Sequence, residues 1–163
     1  MPLPENFQLR PAVNKDSGEI KALIFGILEE YKLSSDPEST DKDLDNIEEY
    51  YTNNKGAFYI ILNADGAIIA STGIYRINDK TCELRKMYLL KEYRGMGIGK
   101  FLLDHSIETA QSLGYNKIIL ETASVLKEAI GLYEKYGFKK YKPEHLSSRC
   151  DQTYYLIINR DDE

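Results

Sequence analysis

A short glycine-rich segment constrains this chain more than any other feature of its sequence. Residues 93–100 read Tyr-Arg-Gly-Met-Gly-Ile-Gly-Lys, and an apolar pattern with helical spacing begins directly after them. Because glycine has no Cβ atom, successive backbone amides can point into one small space at the start of the helix. The positive end of the helix dipole lies behind those amides. The segment therefore predicts a helix N-terminus that holds a phosphate group.

The spacing of the glycines excludes two common phosphate-binding motifs. A dinucleotide fingerprint requires Gly-x-Gly-x-x-Gly, but Lys100 stands where the third glycine after Gly95 and Gly97 should be. A nucleotide P-loop requires four residues between its first glycine and the Gly-Lys pair, and then Ser or Thr. Here three residues separate Gly95 from Gly99, and Phe101 follows the lysine. A tight turn from strand to helix without a ligand is the remaining alternative.

Composition restricts the classes of protein to which the chain can belong. Its 163 residues are 42% hydrophobic and 29% charged, which is typical of one globular domain. A net charge of −5 provides no general basic surface for nucleic acid, and no apolar run is long enough to cross a membrane. The N-terminus lacks the features of a signal peptide. We therefore expect a cytoplasmic protein without nucleic-acid or membrane partners, with one domain over residues 1–163 and a core of about 7–159.

The cysteines and histidines give no framework for a disulfide or a metal site. Cys82 and Cys150 form neither a Cys-x-x-Cys pair nor a disulfide pattern. His105 and His145 are separated from one another and from both cysteines. We therefore expect no bound metal, and reduced thiols as in the cytoplasm. His105 shares an apolar helix face with Phe101, so we expect it to be structural.

Apolar periodicity and turn residues predict strands and helices in a definite order. Three consecutive antiparallel strands come before the glycines, and strand–helix–strand units come after them. This order predicts an α/β (α+β) fold with a mixed, mostly antiparallel sheet of about six to seven strands and helices on both faces. The predicted strands are 7–13, 57–62, 67–77, 81–90, 117–122, 138–141 and 153–159, and the predicted helices are 16–33, 40–51, 97–113 and 124–136.

Further motifs surround the glycines at characteristic separations. Residues 83–89 read Glu-Leu-Arg-Lys-Met-Tyr-Leu, residues 118–122 read Ile-Ile-Leu-Glu-Thr, and residues 129–138 read Ala-Ile-Gly-Leu-Tyr-Glu-Lys-Tyr-Gly-Phe. Together with Arg-Gly-Met-Gly-Ile-Gly at 94–99, this order over residues 81–141 resembles the GNAT (GCN5-related) N-acetyltransferase family. The resemblance implies the GNAT-like acyl-CoA N-acyltransferase fold. It also implies transfer of an acetyl group from acetyl-CoA to a primary amine, for which we expect direct attack in a ternary complex.

The resemblance assigns a set of residues to acetyl-CoA, the expected co-substrate. The strand before the glycines and the strand after the next helix are expected to separate and admit the pantetheine arm. The backbone amide of Leu89 would donate to the thioester carbonyl, and the amides of the glycine segment would hold the pyrophosphate. The expected binding residues are Met87, Tyr88, Leu89, Arg94, Gly95, Met96, Gly97, Ile98, Gly99 and Lys100.

At one position the chain departs from the family pattern. Many relatives carry an asparagine seven residues before the helix tyrosine, where it bonds the pantetheine arm. This position is Leu126 here. Either the contact is lost, or Thr122 or Ser124 supplies it.

Three side chains are candidates for the proton transfers that acetylation of an amine requires. By resemblance, Tyr133 is the expected acid, and a core tyrosine is the alternative. Glu121 and Glu83 compete for the role of base, and each could instead be a strand charge paired with a basic neighbour. A water relay or an already neutral amine is the third alternative. Cys82 and Cys150 are not expected to carry the acetyl group, because no histidine stands beside either in the sequence.

The acceptor is not specified by the sequence. Residues 36–49 contain seven acidic side chains, which favour either a cationic amine acceptor or a solvated helix. A small amine, an amino acid, an antibiotic and a peptide or protein N-terminus all stay open as acceptors. The main alternative function is a non-catalytic acyl-CoA-binding sensor or assembly module on the same fold. The polar segment 142–152 and the last strand are compatible with a homodimer.

Overall fold

A mixed seven-stranded sheet lies at the centre of the computed structural model, which describes residues 3–143, 146, 147 and 149–159. Its strands are β1 (Gln8–Pro11), β2 (Ala57–Leu62), β3 (Ile68–Arg76), β4 (Thr81–Leu89), β5 (Lys117–Thr122), β6 (Lys139–Lys140) and β7 (Gln152–Ile157). They lie in the order β1-β2-β3-β4-β5-β7-β6, and each neighbouring pair except β4–β5 is antiparallel. The predicted mixed, mostly antiparallel sheet is confirmed.

Helices cover both faces of this sheet. They are α1 (Ser17–Glu30), α2 (Ile47–Tyr50), α3 (Ile98–Ser112) and α4 (Lys127–Lys135), and 3-10 turns lie at Asn14–Asp16, Lys42–Asp45, Thr52–Asn54 and Lys91–Tyr93. The apolar side of α1 packs with α2 and β2, whereas α3 and α4 pack against β4 and β5. Because side chains alternate along a strand, Phe58 and Ile60 of β2 join the α1 cluster, whereas Ile61 packs under α3. Among the described helices, none combines the length and the apolar character that a membrane crossing requires.

The second predicted helix, residues 40–51, is the main difference between prediction and structure. Part of this segment is a 3-10 turn, and α2 is a single helical turn capped by Asn46. Asp41 and Asp43 are only 1% and 3% exposed, and both bond to distant side chains. The predicted solvated helix is therefore wrong at these positions, because tertiary contacts override the helical pattern.

Smaller differences occur at the ends of elements. Helix α1 ends at Glu30, before the predicted end near residue 33, because Lys32 adopts a left-handed φ of 59°. The strand predicted at 138–141 is reduced to Lys139–Lys140. His145, which the sequence analysis considered as a metal ligand, lies outside the described residues.

The parallel strands β4 and β5 separate soon after they meet. Their pairing ends at Glu83 and Ile119, and β5 continues alongside β7 instead. Strand β4 bends at Lys86, a non-glycine residue with a φ of 57°, near the point where the β3–β4 register also shifts. The separation leaves the β5 side of residues 87–89 without a strand partner, as the sequence predicts.

Candidate active site

Two adjoining cavities lie where β4 and β5 separate. The loop cavity, of about 260 Å³, is lined by Ile27, Tyr31, Met87, Tyr88, Leu89, Arg94, Gly95, Gly97, Gly99, Lys100, Leu102, Leu126, Glu128, Ala129 and Leu132. The charged cavity, of about 290 Å³, is lined by Leu33, Ser39, Thr40, Glu83, Leu84, Arg85, Lys86, Met87, Tyr88, Glu121, Thr122, Ala123, Leu126, Ala129, Tyr133, Ser147, Arg149 and Cys150. Residues common to both show that the two spaces adjoin: Met87, Tyr88, Leu126 and Ala129.

The glycine loop, residues 94–99, presents backbone amides at the loop cavity. Gly95 and Gly97 adopt left-handed φ values of 81° and 84°, which glycine reaches without strain. The first bond inside α3 runs from the Phe101 amide to the Gly97 carbonyl at 3.1 Å, so the preceding amides have no partner within the helix. A Cβ atom added at Gly95 would meet no atom within 4 Å, so the space beside it is open. The predicted nest of donors at a helix N-terminus is present.

The side chains of Met96, Ile98 and Lys100 differ in their position relative to the loop cavity. Met96 is 41% exposed and Ile98 is 1% exposed, and neither side chain lines the loop cavity. Lys100 does line it, but its ammonium group pairs with Asp104 one turn along α3 at 3.1 Å. Backbone groups are therefore what Met96 and Ile98 can offer to a ligand.

Arg94 is held by neighbouring groups on α1 and β4. It donates to both carboxylate oxygens of Glu30 at 2.7 and 3.0 Å, and to the Tyr31 hydroxyl at 2.9 Å. Its Nε and Nη2 atoms also donate to the Leu89 carbonyl at 3.0 and 2.9 Å. The side chain of Arg94 therefore connects the end of α1 to the end of β4 at the wall of the loop cavity.

The end of β4 directs one backbone amide into the separation between the strands. The Leu90 amide donates to the Ile69 carbonyl of β3 at 3.0 Å. Because successive amides of a strand point in opposite directions, the Leu89 amide points away from β3, toward the side that β5 has left. Met87 and Tyr88 line both cavities, and burial raises the pKa of Tyr88 to about 12. These three residues thus lie together where the sequence predicts them.

Tyr133 lies on α4, and its side chain lines the charged cavity. The residue is 5% exposed, and its ring packs against Phe138 and Tyr154 at centroid distances of 5.6 and 6.4 Å. Burial raises the pKa of Tyr133 well above its usual value, and the nearby Tyr88 adds to this shift. No described residue forms a hydrogen bond with its hydroxyl group. The position is compatible with both predicted roles. The packed ring fits a core tyrosine, and a protonated hydroxyl at a cavity wall can act as an acid.

Of the residues that the structure describes, two carboxylates line the charged cavity, and their surroundings differ. Glu83 on β4 is 7% exposed and accepts a hydrogen bond from Arg85 Nε. Burial raises the pKa of Glu83, although Arg85 opposes this, and the negative charge of Glu121 raises it further. Glu121 on β5 is half-buried and accepts the Ser147 amide at 3.1 Å. A carboxylate with a raised pKa is well matched to accept a proton near neutral pH, so Glu83 is suited to the role of base.

A buried ion cluster beside the charged cavity was missed by the sequence analysis. Asp41 accepts two hydrogen bonds from the Arg149 guanidinium at 2.8 and 2.7 Å. The Lys86 ammonium forms ion pairs with Asp41 and Asp43, 3.3 Å from an oxygen of each, and its hydrogen bond goes to the Thr40 carbonyl. Burial alone would raise the pKa of Asp41, but hydrogen bonds from Arg149 and a backbone amide lower it overall. These residues come from distant segments, so no local sequence pattern signals the cluster.

Leu126 stands at the junction of the two cavities, just before α4. Its apolar side chain cannot donate a hydrogen bond to a ligand. The hydroxyl and amide of Ser124 both bond to Asp151 at 2.7 Å. Thr122 is 5% exposed and lines the charged cavity. Of the two alternatives from the sequence, Thr122 is therefore the one at the cavity.

The two cysteines and His105 occupy environments that favour their neutral forms. Burial raises the pKa of Cys82 to about 12 and also raises that of Cys150, which lines the charged cavity. Both thiols stay protonated near neutral pH, which makes them poor nucleophiles. Burial lowers the pKa of His105, whose ring packs against Tyr59 and Phe101 at centroid distances of 4.4 and 6.4 Å. This packing agrees with the structural role expected for the histidine.

Known proteins share both the sequence pattern and the fold. The model of the acetyltransferase (GNAT) family matches residues 24–138. This chain belongs to the GNAT family. It is 33% identical over 141 residues to the uncharacterized N-acetyltransferase YjgM of Escherichia coli (strain K12), a match that covers 83% of this chain and 84% of YjgM.

Solved GNAT structures have the same architecture. A GNAT-family acetyltransferase from Staphylococcus aureus Mu50 has a TM-score of 0.87 and 27% identity, covering 94% of this chain and 99% of that one. A phosphinothricin acetyltransferase from Sinorhizobium meliloti, solved in complex with AcCoA, has a TM-score of 0.70 and 22% identity, covering 92% and 86%. The GNAT fold predicted from the sequence is confirmed, and the protein is an acetyl-CoA-dependent N-acetyltransferase.

The residues of the loop cavity fit acetyl-CoA, the co-substrate of GNAT proteins. Open amides at Gly95–Lys100 suit a pyrophosphate, and the space beside Gly95 has room for it. The unpaired edge of β4 offers backbone groups to an amide-containing arm. Acetyl-CoA supplies the activated acetyl group as a thioester, and the chain has to bind it, exclude water and move protons.

Proposed function

We propose that this GNAT protein acetylates a primary amine by direct attack within a ternary complex. The observation that carries the proposal is the junction of the two cavities at Met87, Tyr88, Leu126 and Ala129. The loop cavity is suited to acetyl-CoA, and the charged cavity holds the groups that can transfer protons. An acceptor in the charged cavity would then lie next to the acetyl group.

The loop cavity binds acetyl-CoA through backbone groups in this proposal. The amides of Gly95–Lys100 hold the pyrophosphate, with Arg94 and Lys100 at its margin. Residues 87–89 of β4 pair with the pantetheine arm. The Leu89 amide stabilises negative charge on the thioester oxygen, and one such donor in a water-poor site contributes about 3 kcal/mol to catalysis. The alternation of amides at the end of β4 supports this role.

Tyr133 and Glu83 carry the proton transfers. Tyr133 donates a proton to the departing thiolate, which its raised pKa and free hydroxyl support. Glu83 accepts the proton of the amine, directly or through water, and its burial and raised pKa support this role. Glu121 then contributes negative charge that attracts the amine and favours the basic character of Glu83.

Direct attack is favoured over a covalent acetyl-cysteine. Cys150 lies at the charged cavity, but burial keeps its thiol protonated, and Cys82 is fully buried. Among the described residues, no histidine forms a hydrogen bond with either thiol that could activate it. We further propose that residues 1–163 act as one acetyltransferase domain. The cytoplasmic location and the homodimer stay predictions of the sequence.

Thiol release from acetyl-CoA with a panel of amines tests the proposal. We expect amine-dependent release of CoA, and calorimetry should detect acetyl-CoA binding in the absence of amine. NAD is the matched control, because it also contains a pyrophosphate and the glycine spacing predicts no binding. Acetyl-CoA binding without turnover of any amine would instead support the sensor or assembly module.

A further inference from the structure

Among the described residues, three cationic side chains line the charged cavity, and two of them are already paired with carboxylates. Arg149 uses its guanidinium to bind both oxygens of Asp41. The Lys86 ammonium lies between Asp41 and Asp43 and donates to the Thr40 carbonyl at 3.1 Å. These two cations therefore stabilise the cavity wall and have little capacity to bind a ligand.

Arg85 differs from the other two cations. Its Nε donates to Glu83, and its guanidinium stacks on the Tyr75 ring, 3.7 Å from the centroid. No described residue accepts a hydrogen bond from its terminal nitrogens, and the side chain is 30% exposed. Arg85 is thus held in place by Nε and by its flat face, while its two NH₂ groups have no acceptor in the part of the chain that the structure describes.

The carboxylates of the cavity provide a second charge near the first. Glu83 and Glu121 both line the space, and each is close enough to influence the other electrostatically. Arg85 neutralises one of these two charges at most. The cavity therefore offers negative charge for an ammonium group beside a guanidinium with free donors.

We propose that the acceptor is a free α-amino acid, whose carboxylate binds Arg85 and whose amine lies between Glu83 and Glu121. This assignment rests on the function proposed above. A planar guanidinium with two free NH₂ groups matches the two oxygens of a carboxylate. In an α-amino acid a single carbon atom joins the amine to the carboxyl group, so the two charges of the ligand lie close together. Glu83 and Arg85 are in direct contact, so the negative and positive groups that would bind these two charges are also neighbours.

Matched acceptors test the assignment. Free L-amino acids, the corresponding amino acid amides and the decarboxylated amines share a side chain and differ at the carboxyl position. For wild-type protein we expect kcat/KM for amino acids to exceed that for the amides by about tenfold to a hundredfold, the range for a charged hydrogen-bond pair. Equal or better use of the amides would overturn the assignment and leave the acetyltransferase proposal intact.

Variants of Arg85 show whether this residue makes the distinction. Arg85→Gln should bring the ratio of amino acid to amide close to one, and Arg85→Lys should keep part of it. The ratio of kcat/KM for the amino acid to kcat/KM for the amide does not depend on the pKa of Glu83, because both acceptors use the same base. Affinity for acetyl-CoA and the melting temperature serve as controls for folding. A ratio that survives Arg85→Gln in folded protein would also reject the assignment.

Calorimetry separates this inference from the function on which it rests. Amino acids are titrated into the wild-type protein and Arg85→Gln, each saturated with CoA. Arg85-dependent binding without turnover of any amine would contradict the acetyltransferase proposal and keep the site. Absence of both binding and turnover would contradict both.

Discussion

The loop cavity and the charged cavity adjoin, but they are built in different ways. The loop cavity takes its donors from the backbone of one short segment, the turn at Gly95 and Gly97 and the first turn of α3. The charged cavity takes its polar groups from side chains of 83–86, 121, 133 and 149, and Asp41 behind its wall pairs with Lys86 and Arg149. Backbone donors suit a substrate that a whole family shares, whereas side chains can change while the fold is kept. The shared co-substrate and the individual acceptor are thus met by different kinds of structure.

The largest effect that distinguishes the two regions should be on stability. Lys86→Met leaves the buried Asp41 and Asp43 without an ammonium group, and loss of a buried ionic partner costs about 3–5 kcal/mol. Lys100→Met removes an exposed pair with Asp104 and should cost far less, because solvent screens that pair. Denaturant unfolding of both variants measures the difference. Equal losses would contradict the division into a buried charged wall and an exposed loop.

Tyr133→Phe should have the next largest effect, on turnover. Loss of the proposed acid should lower kcat by about a hundredfold while the affinity for acetyl-CoA is kept. Tyr154→Phe is a matched control, because this tyrosine packs against the Tyr133 ring but bonds to Glu134 instead of lining a cavity. Steady-state kinetics and calorimetry check both variants. If both lower kcat equally, Tyr133 is a core residue and not the acid.

Gly95→Ala tests the loop cavity by itself. The added Cβ atom would project into the open space where the pyrophosphate is expected, at a residue with a φ of 81°. We expect the affinity for acetyl-CoA to fall about tenfold, because the ligand would lose one or two backbone hydrogen bonds that contribute about 1 kcal/mol each. Gly66→Ala is the control, since Gly66 has a φ of 83° and equally open surroundings in the β2–β3 turn. Both variants should lose about 1–2 kcal/mol of stability from the left-handed backbone. Equal acetyl-CoA affinities in the two would argue against a pyrophosphate site at the loop.

The smallest expected effect concerns the pH dependence at the charged cavity. If Glu83 is the base, kcat/KM falls on the acid side as Glu83 becomes protonated, and Glu83→Gln removes this limb. Because the charge of Glu121 helps to raise the pKa of Glu83, Glu121→Gln should move the limb to lower pH. The pH–rate profiles of both variants measure this. Loss of the limb in Glu121→Gln alone would make Glu121 the base.

Most of the fold could be predicted because its signals are local. Alternating apolar residues mark the strands, and a break at Gly114 and at Gly137, both with left-handed φ, marks the ends of α3 and α4. The segment 40–51 has the apolar spacing of a helix, and the sequence therefore predicted one. In the structure, Asp41 and Asp43 instead bind cationic partners that lie far away in the sequence. Local patterns carry no information about such partners.

The candidate site divides in the same way. The sequence predicted Met87–Leu89 and the glycines for one ligand, and these residues line the same cavity, because their position depends on backbone conformation and spacing. It leaves Glu83 and Glu121 as alternatives, because the choice depends on burial and on neighbouring charge. Arg149 was not selected, since nothing beside it in the chain shows what it binds. Asp41 was considered only as one of seven acidic side chains, and Arg85 only as a basic neighbour that could pair with Glu83, which it does.

The amino-acid sequence by itself determined the family, the order of strands and helices, and the loop of amides at the start of α3. These features follow from side-chain periodicity and from glycine spacing, which act over a few residues. Only the tertiary structure decided which charges are buried together, how far burial raises the pKa of Glu83, and that no described residue accepts a hydrogen bond from the terminal nitrogens of Arg85. Those properties depend on desolvation and on contacts between distant segments, which arise when the chain packs.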